Sequence, residues 1–87
     1  MYLHLGSDII VSEQHIIGVF DLENTSVSKF TRDFLRKKQE EGRVVNIALD
    51  LPKSFIVCAA GKKETVYLSQ LAASTLRRRS LKKAALF

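Results

Sequence analysis

Between Pro52 and Gly61 the chain carries an unbroken apolar run, Phe55-Ile56-Val57-Cys58-Ala59-Ala60. Six residues rich in aromatic and β-branched types, bounded by turn formers, are strand length and too short for a stable helix. Side chains alternate along a strand, so Phe55, Val57 and Ala59 point one way and Ile56, Cys58 and Ala60 the other. Both faces are apolar and both must be covered. A helix of the same chain can cover one. Covering the other is hard for 87 residues, which points to a partner subunit. A chain of this size is one domain and buries only about 60–65% of its unfolded surface. It has one cysteine, so an internal disulfide is impossible. One Cys and two His in no zinc-like spacing leave no metal site. Self-association is the remaining route to stability.

The flanking stretches supply strands and one main helix. Tyr2–Leu5 reads as a short strand turned by Gly6-Ser7-Asp8, and Asp8–Val11 as its successor. Ser12-Glu13-Gln14 interrupts the pattern. His15–Leu22 resumes it, with Gly18 marking a bulge or a close backbone approach. These pieces predict a meander of two or three antiparallel strands. Ser26 or Ser28 can cap a helix running to about Gln39 or Glu41. Val27, Phe30, Phe34 and Leu35 form its core face. Lys29, Arg32 and Arg36 form the opposite stripe, either a solvated face or a phosphate contact. Asp33 lies one turn from Lys29 and Lys37, and Glu40 one turn from Arg36, pairs that support the helix. Gly42 stops it. Arg43–Leu49 reads as a strand, Asp50-Leu51-Pro52-Lys53 as a loop, and Thr65–Leu68 as the antiparallel partner of the central run across Gly61-Lys62-Lys63-Glu64. A short helix begins near Ala72–Ser74, with Leu71, Ala72, Ala73 and Leu76 on its apolar side. The predicted fold is α+β, a small, largely antiparallel sheet packed by a 27–41 helix, with a second helix near the C-terminus.

Charge divides the chain unevenly. Up to Leu76 there are nine Lys/Arg and nine Asp/Glu, and the net +5 comes from Arg77, Arg78, Arg79, Lys82 and Lys83. A neutral domain over 1–76 therefore carries a basic segment over 77–87. Such a segment either favours anionic partners or acts as a solubilising terminus. Leu81 lies off the face of Leu76, so a single amphipathic helix to Phe87 is not expected. A kink, a frayed segment or an oligomer contact by Leu81, Leu86 and Phe87 is expected instead. That pattern also argues against a helix lying on a membrane.

Catalytic patterns are missing. Gly61-Lys62-Lys63 lacks the spacing of a phosphate-binding loop. His4 and His15 read as satisfied or surface histidines, and Cys58 as inert core whose thiol burial discourages from ionising. No catalytic residue, cofactor or metal is expected. No apolar run reaches 18 residues, so no span is expected. Met1-Tyr2-Leu3-His4-Leu5 lacks signal-peptide features. The free cysteine suits a reducing cytoplasm. No zinc finger, RNA-recognition signature or helix-turn-helix is present. Support for nucleic-acid binding is electrostatic, since each phosphate neutralised releases counterions. A cyclic oligomer would repeat Arg77–Lys83 around a rim and convert weak contacts into avidity.

The order of several blocks carries a resemblance. Met1-Tyr2-Leu3-His4-Leu5-Gly6, Val11-Ser12 and Ile16-Ile17-Gly18-Val19-Phe20-Asp21 are followed by Phe34-Leu35-Arg36-Lys37, Pro52-Lys53-Ser54, Tyr67-Leu68-Ser69 and Ser74-Thr75-Leu76. Together they resemble the RemA/RemB family of extracellular matrix regulatory proteins, in particular its RemB or YaaB-type branch, to about Arg79. The resemblance implies a bacterial cytoplasmic regulator of biofilm-matrix genes that binds double-stranded DNA as a ring-shaped homo-oligomer. It leaves room for a RemA-type paralogue as partner and implies no ligand. The family pattern places an arginine where this chain has His15, a poorer cation near neutral pH. It places two arginines in the loop that here reads Asp50-Leu51-Pro52-Lys53. Expected phosphate contacts are therefore Lys53, Arg77, Arg78 and Arg79, with His15 and Lys82 beside them. The alternative is an assembly protein that rings with itself or a paralogue and touches DNA weakly or not at all.

Overall fold

A computed structural model describes residues 2–23 and 28–79. The central run forms β5, Ser54–Ala60, and its two faces separate as alternation requires. Ile56 and Cys58 lie in one buried cluster, and Phe55 and Val57 in another. β5 is flanked by β3, Ile16–Asp21, and β6, Lys63–Ser69, both antiparallel to it. β4, Val44–Asn46, completes a four-stranded sheet of order β3-β5-β6-β4. β4 runs parallel to β6, so one of the sheet's three pairings departs from the antiparallel pattern. The β5–β6 turn passes through Gly61 at φ +65°, a left-handed conformation that a side chain disfavours.

β1, Tyr2–Gly6, and β2, Ile9–Ser12, form a hairpin and a separate two-stranded sheet. They do not continue into β3 as a meander. A single 3₁₀ turn, Glu13–His15, with Glu13 buried, breaks the chain between the sheets. The bulge expected at Gly18 is present, with the register of β3 against β5 shifting between Ile16 and Gly18. The extra residue brings Ile16 and Val19, three apart, into the same core cluster.

The second face of β5 needs no partner subunit, contrary to the sequence-based expectation. The β1–β2 hairpin and α2, Ala73–Arg79, cover it with Leu3, Leu5, Ala73 and Leu76. Ser69 links the layers. Its hydroxyl donates to the Leu5 carbonyl and accepts the Leu71 amide at 3.0 Å.

The other face lies under α1, Lys29–Glu40. Ser28 is its cap, its hydroxyl accepting the Thr31 amide at 3.1 Å. Gly42, at φ +71°, donates to the Gln39 carbonyl at 3.0 Å and ends it. Ser26 and Val27 lie outside the described residues. The core face of α1 is narrower than its spacing predicts. Phe34 and Leu35 pack on the sheet, whereas Phe30 is 88% exposed. The element contacts of α1 are chiefly with β4 and β6, and its first turn overhangs the sheet without closing on it. The surface ion pairs also differ, since Asp33 meets Arg36 at 2.9 Å and Lys38 joins Glu64 at 3.0 Å.

The 43–49 strand is shorter than its apolar pattern predicts. After Asn46 the backbone turns, with the Asn46 side chain accepting the Ala48 amide at 3.0 Å. Leu49 ends 90% exposed. Ile47 remains in the core, its amide bonded to the Leu68 carbonyl. Among the described residues no helix is long and apolar enough to cross a membrane.

Candidate nucleic-acid interface

The expected phosphate contacts do not converge. Lys53 is exposed at the entry to β5, where its amide donates to the Ser69 carbonyl and its carbonyl accepts the Leu22 amide. His15 lies at the other end. Its neighbour Ile16 pairs with Cys58, whereas Asp21 pairs with Ser54 beside Lys53. Four residues of strand put Cys58 roughly 13 Å from Ser54. Lys53 and His15 thus mark opposite ends of the sheet.

α2 supplies the three arginines. It starts beside β5, where the Ser54 hydroxyl donates to the Leu71 carbonyl at 2.7 Å. By Arg77 it has reached the middle of β3. The Arg77 guanidinium is half-buried and Nη2 donates to the Val19 carbonyl at 3.4 Å. Arg77 Nε is buried and makes no hydrogen bond among the described residues. This side chain braces α2 against β3. Arg78 and Arg79 are exposed in the last turn, where positive charge also complements the helix dipole. Lys82 lies outside the described residues.

The two roles are separable. Arg77→Ala is expected to lower the unfolding free energy by about 1 kcal/mol through lost packing and a lost charged hydrogen bond. Arg78→Ala and Arg79→Ala should stay within about 0.5 kcal/mol of the parent. Urea unfolding of the three single variants checks this. Equal midpoints for all three would remove the bracing role.

A second basic cluster was not foreseen. A cleft of about 540 Å³ opens between the β1–β2 hairpin and the β5–β6 face, lined in part by His15, Arg43 and Lys63. Arg43 immediately precedes β4. Its Nε donates to the Glu64 carbonyl at 3.2 Å and its own carbonyl accepts the Val66 amide. Tyr67 stands nearby. Burial raises its pKa, Cys58 adds to the rise and Arg43 opposes it. Sequence reading placed Arg43 in a strand and Lys63 in a turn, and only the strand pairing joins them to His15.

On the opposite face an apolar hollow of about 350 Å³ lies between α1 and the sheet, lined by Ile17, Phe20, Phe30, Phe34 and Phe55 among others. Phe20 and Phe55 stack there with centroids 4.8 Å apart. Among the described residues no group of three or more His, Cys, Asp or Glu is placed to hold a metal ion.

Comparison with known proteins gives two matches that span the fold. The family model described as RemA-like, extracellular matrix regulatory protein A-like, matches residues 2–80. Extracellular matrix regulatory protein B of Bacillus subtilis (strain 168) is 36% identical over 80 residues, covering 92% of this chain and 90% of that protein.

Proposed function

The chain belongs to the RemA-like family of extracellular matrix regulatory proteins, and from that premise we propose that it is a cytoplasmic, DNA-binding transcriptional regulator of biofilm-matrix genes that acts as a cyclic homo-oligomer. The carrying observation is the family match over residues 2–80, which takes in every described element of the fold. Two features support the finer reading. Arg78 and Arg79 stand exposed at the end of α2, where they can meet phosphate oxygens, Arg78 at the cost of a 3.5 Å surface bond to the Thr75 hydroxyl. The apolar hollow beside Phe30 leaves aromatic surface that another subunit would bury. Repetition of the α2 ends around a ring would supply the affinity that two arginines and Lys53 lack singly.

One observation favours the assembly reading. The loop where the family resemblance calls for arginines presents Leu51 at 80% exposure, next to Leu49 at 90%, and keeps Lys53 as its one cation. On that reading the chain rings with itself or a paralogue and leaves DNA to its partner.

Fluorescence anisotropy of a labelled duplex, titrated at about 50 and 200 mM salt, separates the two. A multi-contact DNA binder loses orders of magnitude in affinity across that range. Arg78→Ala/Arg79→Ala should weaken binding on every sequence and reduce the salt slope by about 2 per subunit engaged. Parent protein that leaves the duplex free at the lower salt would exclude DNA binding by this chain alone. Sedimentation of the same samples reads the oligomer, and a monomer at high concentration would exclude the ring.

A further inference from the structure

The cleft between the two sheets is built by strand register. Cys58 pairs with Thr65 and Ala60 with Lys63, so the β5–β6 hairpin presents Cys58, Ala60, Lys63, Thr65 and Tyr67 on one face. The parallel pairing of Val44 with Val66 carries Arg43 alongside Thr65, on the same face and diagonal to Lys63. The 3₁₀ turn brings in His15 from the other side, and Tyr2 of β1 forms part of the wall. β5 gives this face the small side chains of Cys58 and Ala60.

Among the described residues that line the cleft none carries a carboxylate, while Arg43, Lys63 and His15 are all basic. Among the described residues the Arg43 side chain bonds only through Nε, which fixes the guanidinium and leaves its terminal amines for a ligand. Lys63 makes no ion pair among the described residues, unlike Lys38, which is committed to Glu41 and Glu64. Tyr2 is 75% exposed, a rigid aromatic surface beside these cations. At about 540 Å³ the cleft is the size of a small-molecule site and larger than a single inorganic anion needs. It is also concave and walled on two sides, a shape suited to a small ligand more than to the convex backbone of a duplex.

We infer that this cleft binds a small phosphorylated ligand bearing a planar base, a mononucleotide in chemical class, with its phosphate on Arg43 and Lys63 and its base against Tyr2. His15 lies within the same ring of donors. Such a site would give the protein an effector input. It is independent of the duplex contacts proposed at the end of α2.

The test is calorimetric titration of the full chain, at about 50 mM salt, with adenosine and guanosine monophosphates, adenosine alone and inorganic phosphate. Saturable binding of a mononucleotide is expected, with adenosine and inorganic phosphate each at least tenfold weaker. Lys63→Gln should raise Kd several-fold and Arg43→Gln/Lys63→Gln at least tenfold. Thermal melts confirm that the variants fold, and Lys63→Gln alone avoids the backbone contact made by Arg43. Tyr2→Ala should weaken the mononucleotide while leaving inorganic phosphate unchanged. Three outcomes would overturn the inference. One is an absence of saturable mononucleotide binding up to millimolar concentration. Another is folded Lys63 and Arg43 variants that bind like the parent. The third is duplex binding that these variants lose while mononucleotides never bind, which would assign the cleft to DNA. Mononucleotide binding by a chain that ignores duplex DNA would instead overturn the DNA reading and leave this site standing.

Discussion

Leu76→Ala is expected to lower the unfolding free energy by about 3 kcal/mol and the melting temperature by about 15 °C. Leu76 is fully buried, packed with Leu3, Leu5, Val19 and Ile56 in the cluster between the sheets. Removing three carbons there loses both transfer energy and packing. A domain of this length is stable by roughly 4–13 kcal/mol, so the loss is a large fraction of the whole. Leu49→Ala is the control. It deletes the same atoms at a site 90% exposed and should change stability by no more than about 0.5 kcal/mol. Equal melting temperatures for the two variants would mean that α2 does not cover the sheet.

The second large effect concerns Cys58. Burial beneath the β1–β2 hairpin and the 3₁₀ turn pushes its thiol from 9.0 up to about 11. Two pH units mean a thiolate population about a hundredfold lower than in the unfolded chain at any pH well below both values. The thiolate is the reacting species. Native protein at pH 8 should therefore react with a disulfide reagent at least a hundredfold more slowly than protein unfolded in urea. The rate should climb about tenfold per pH unit until about pH 11. Stability carries the complementary sign. Below pH 9 both states hold the proton and the group contributes nothing to the pH dependence. Between 9 and about 11 the unfolded chain releases it first, so stability falls as pH rises. Native and unfolded protein reacting at the same rate would show that Cys58 is open to solvent and ionisable.

These two residues also show what could be read from the chain in advance. The two-faced strand was legible because alternation within Phe55–Ala60 needs no tertiary information. The bulge at Gly18, the Ser28 cap and the Gly42 stop were legible for the same reason, each being local backbone chemistry. What covers the second face was not. Leu3, Leu5 and Leu76 meet there from opposite ends of the chain, and no local pattern says that the first hairpin leaves the main sheet. Phe30 was misplaced because its spacing from Phe34 reports a shared helix face and not how far the sheet extends beneath it. The parallel docking of β4 on β6 was likewise invisible, and with it the approach of Arg43 to Lys63 and His15. Of the expected phosphate contacts, exposure separates Arg78 and Arg79 from Arg77, a distinction that three consecutive arginines do not carry in their order.

The bond from Ser69 to Leu5 closes a loop of 64 residues, and this orders events during synthesis. The β1–β2 hairpin is made before the elements it packs on, and its apolar face has no surface to dock on until β5, β6 and α2 exist. Local pairing of Tyr2–Ser12 can form early, but its burial waits for α2. A nascent chain halted before Leu71 would display Leu3 and Leu5 to the cell. Chains terminated before Leu71 are therefore expected to be held by chaperones or degraded.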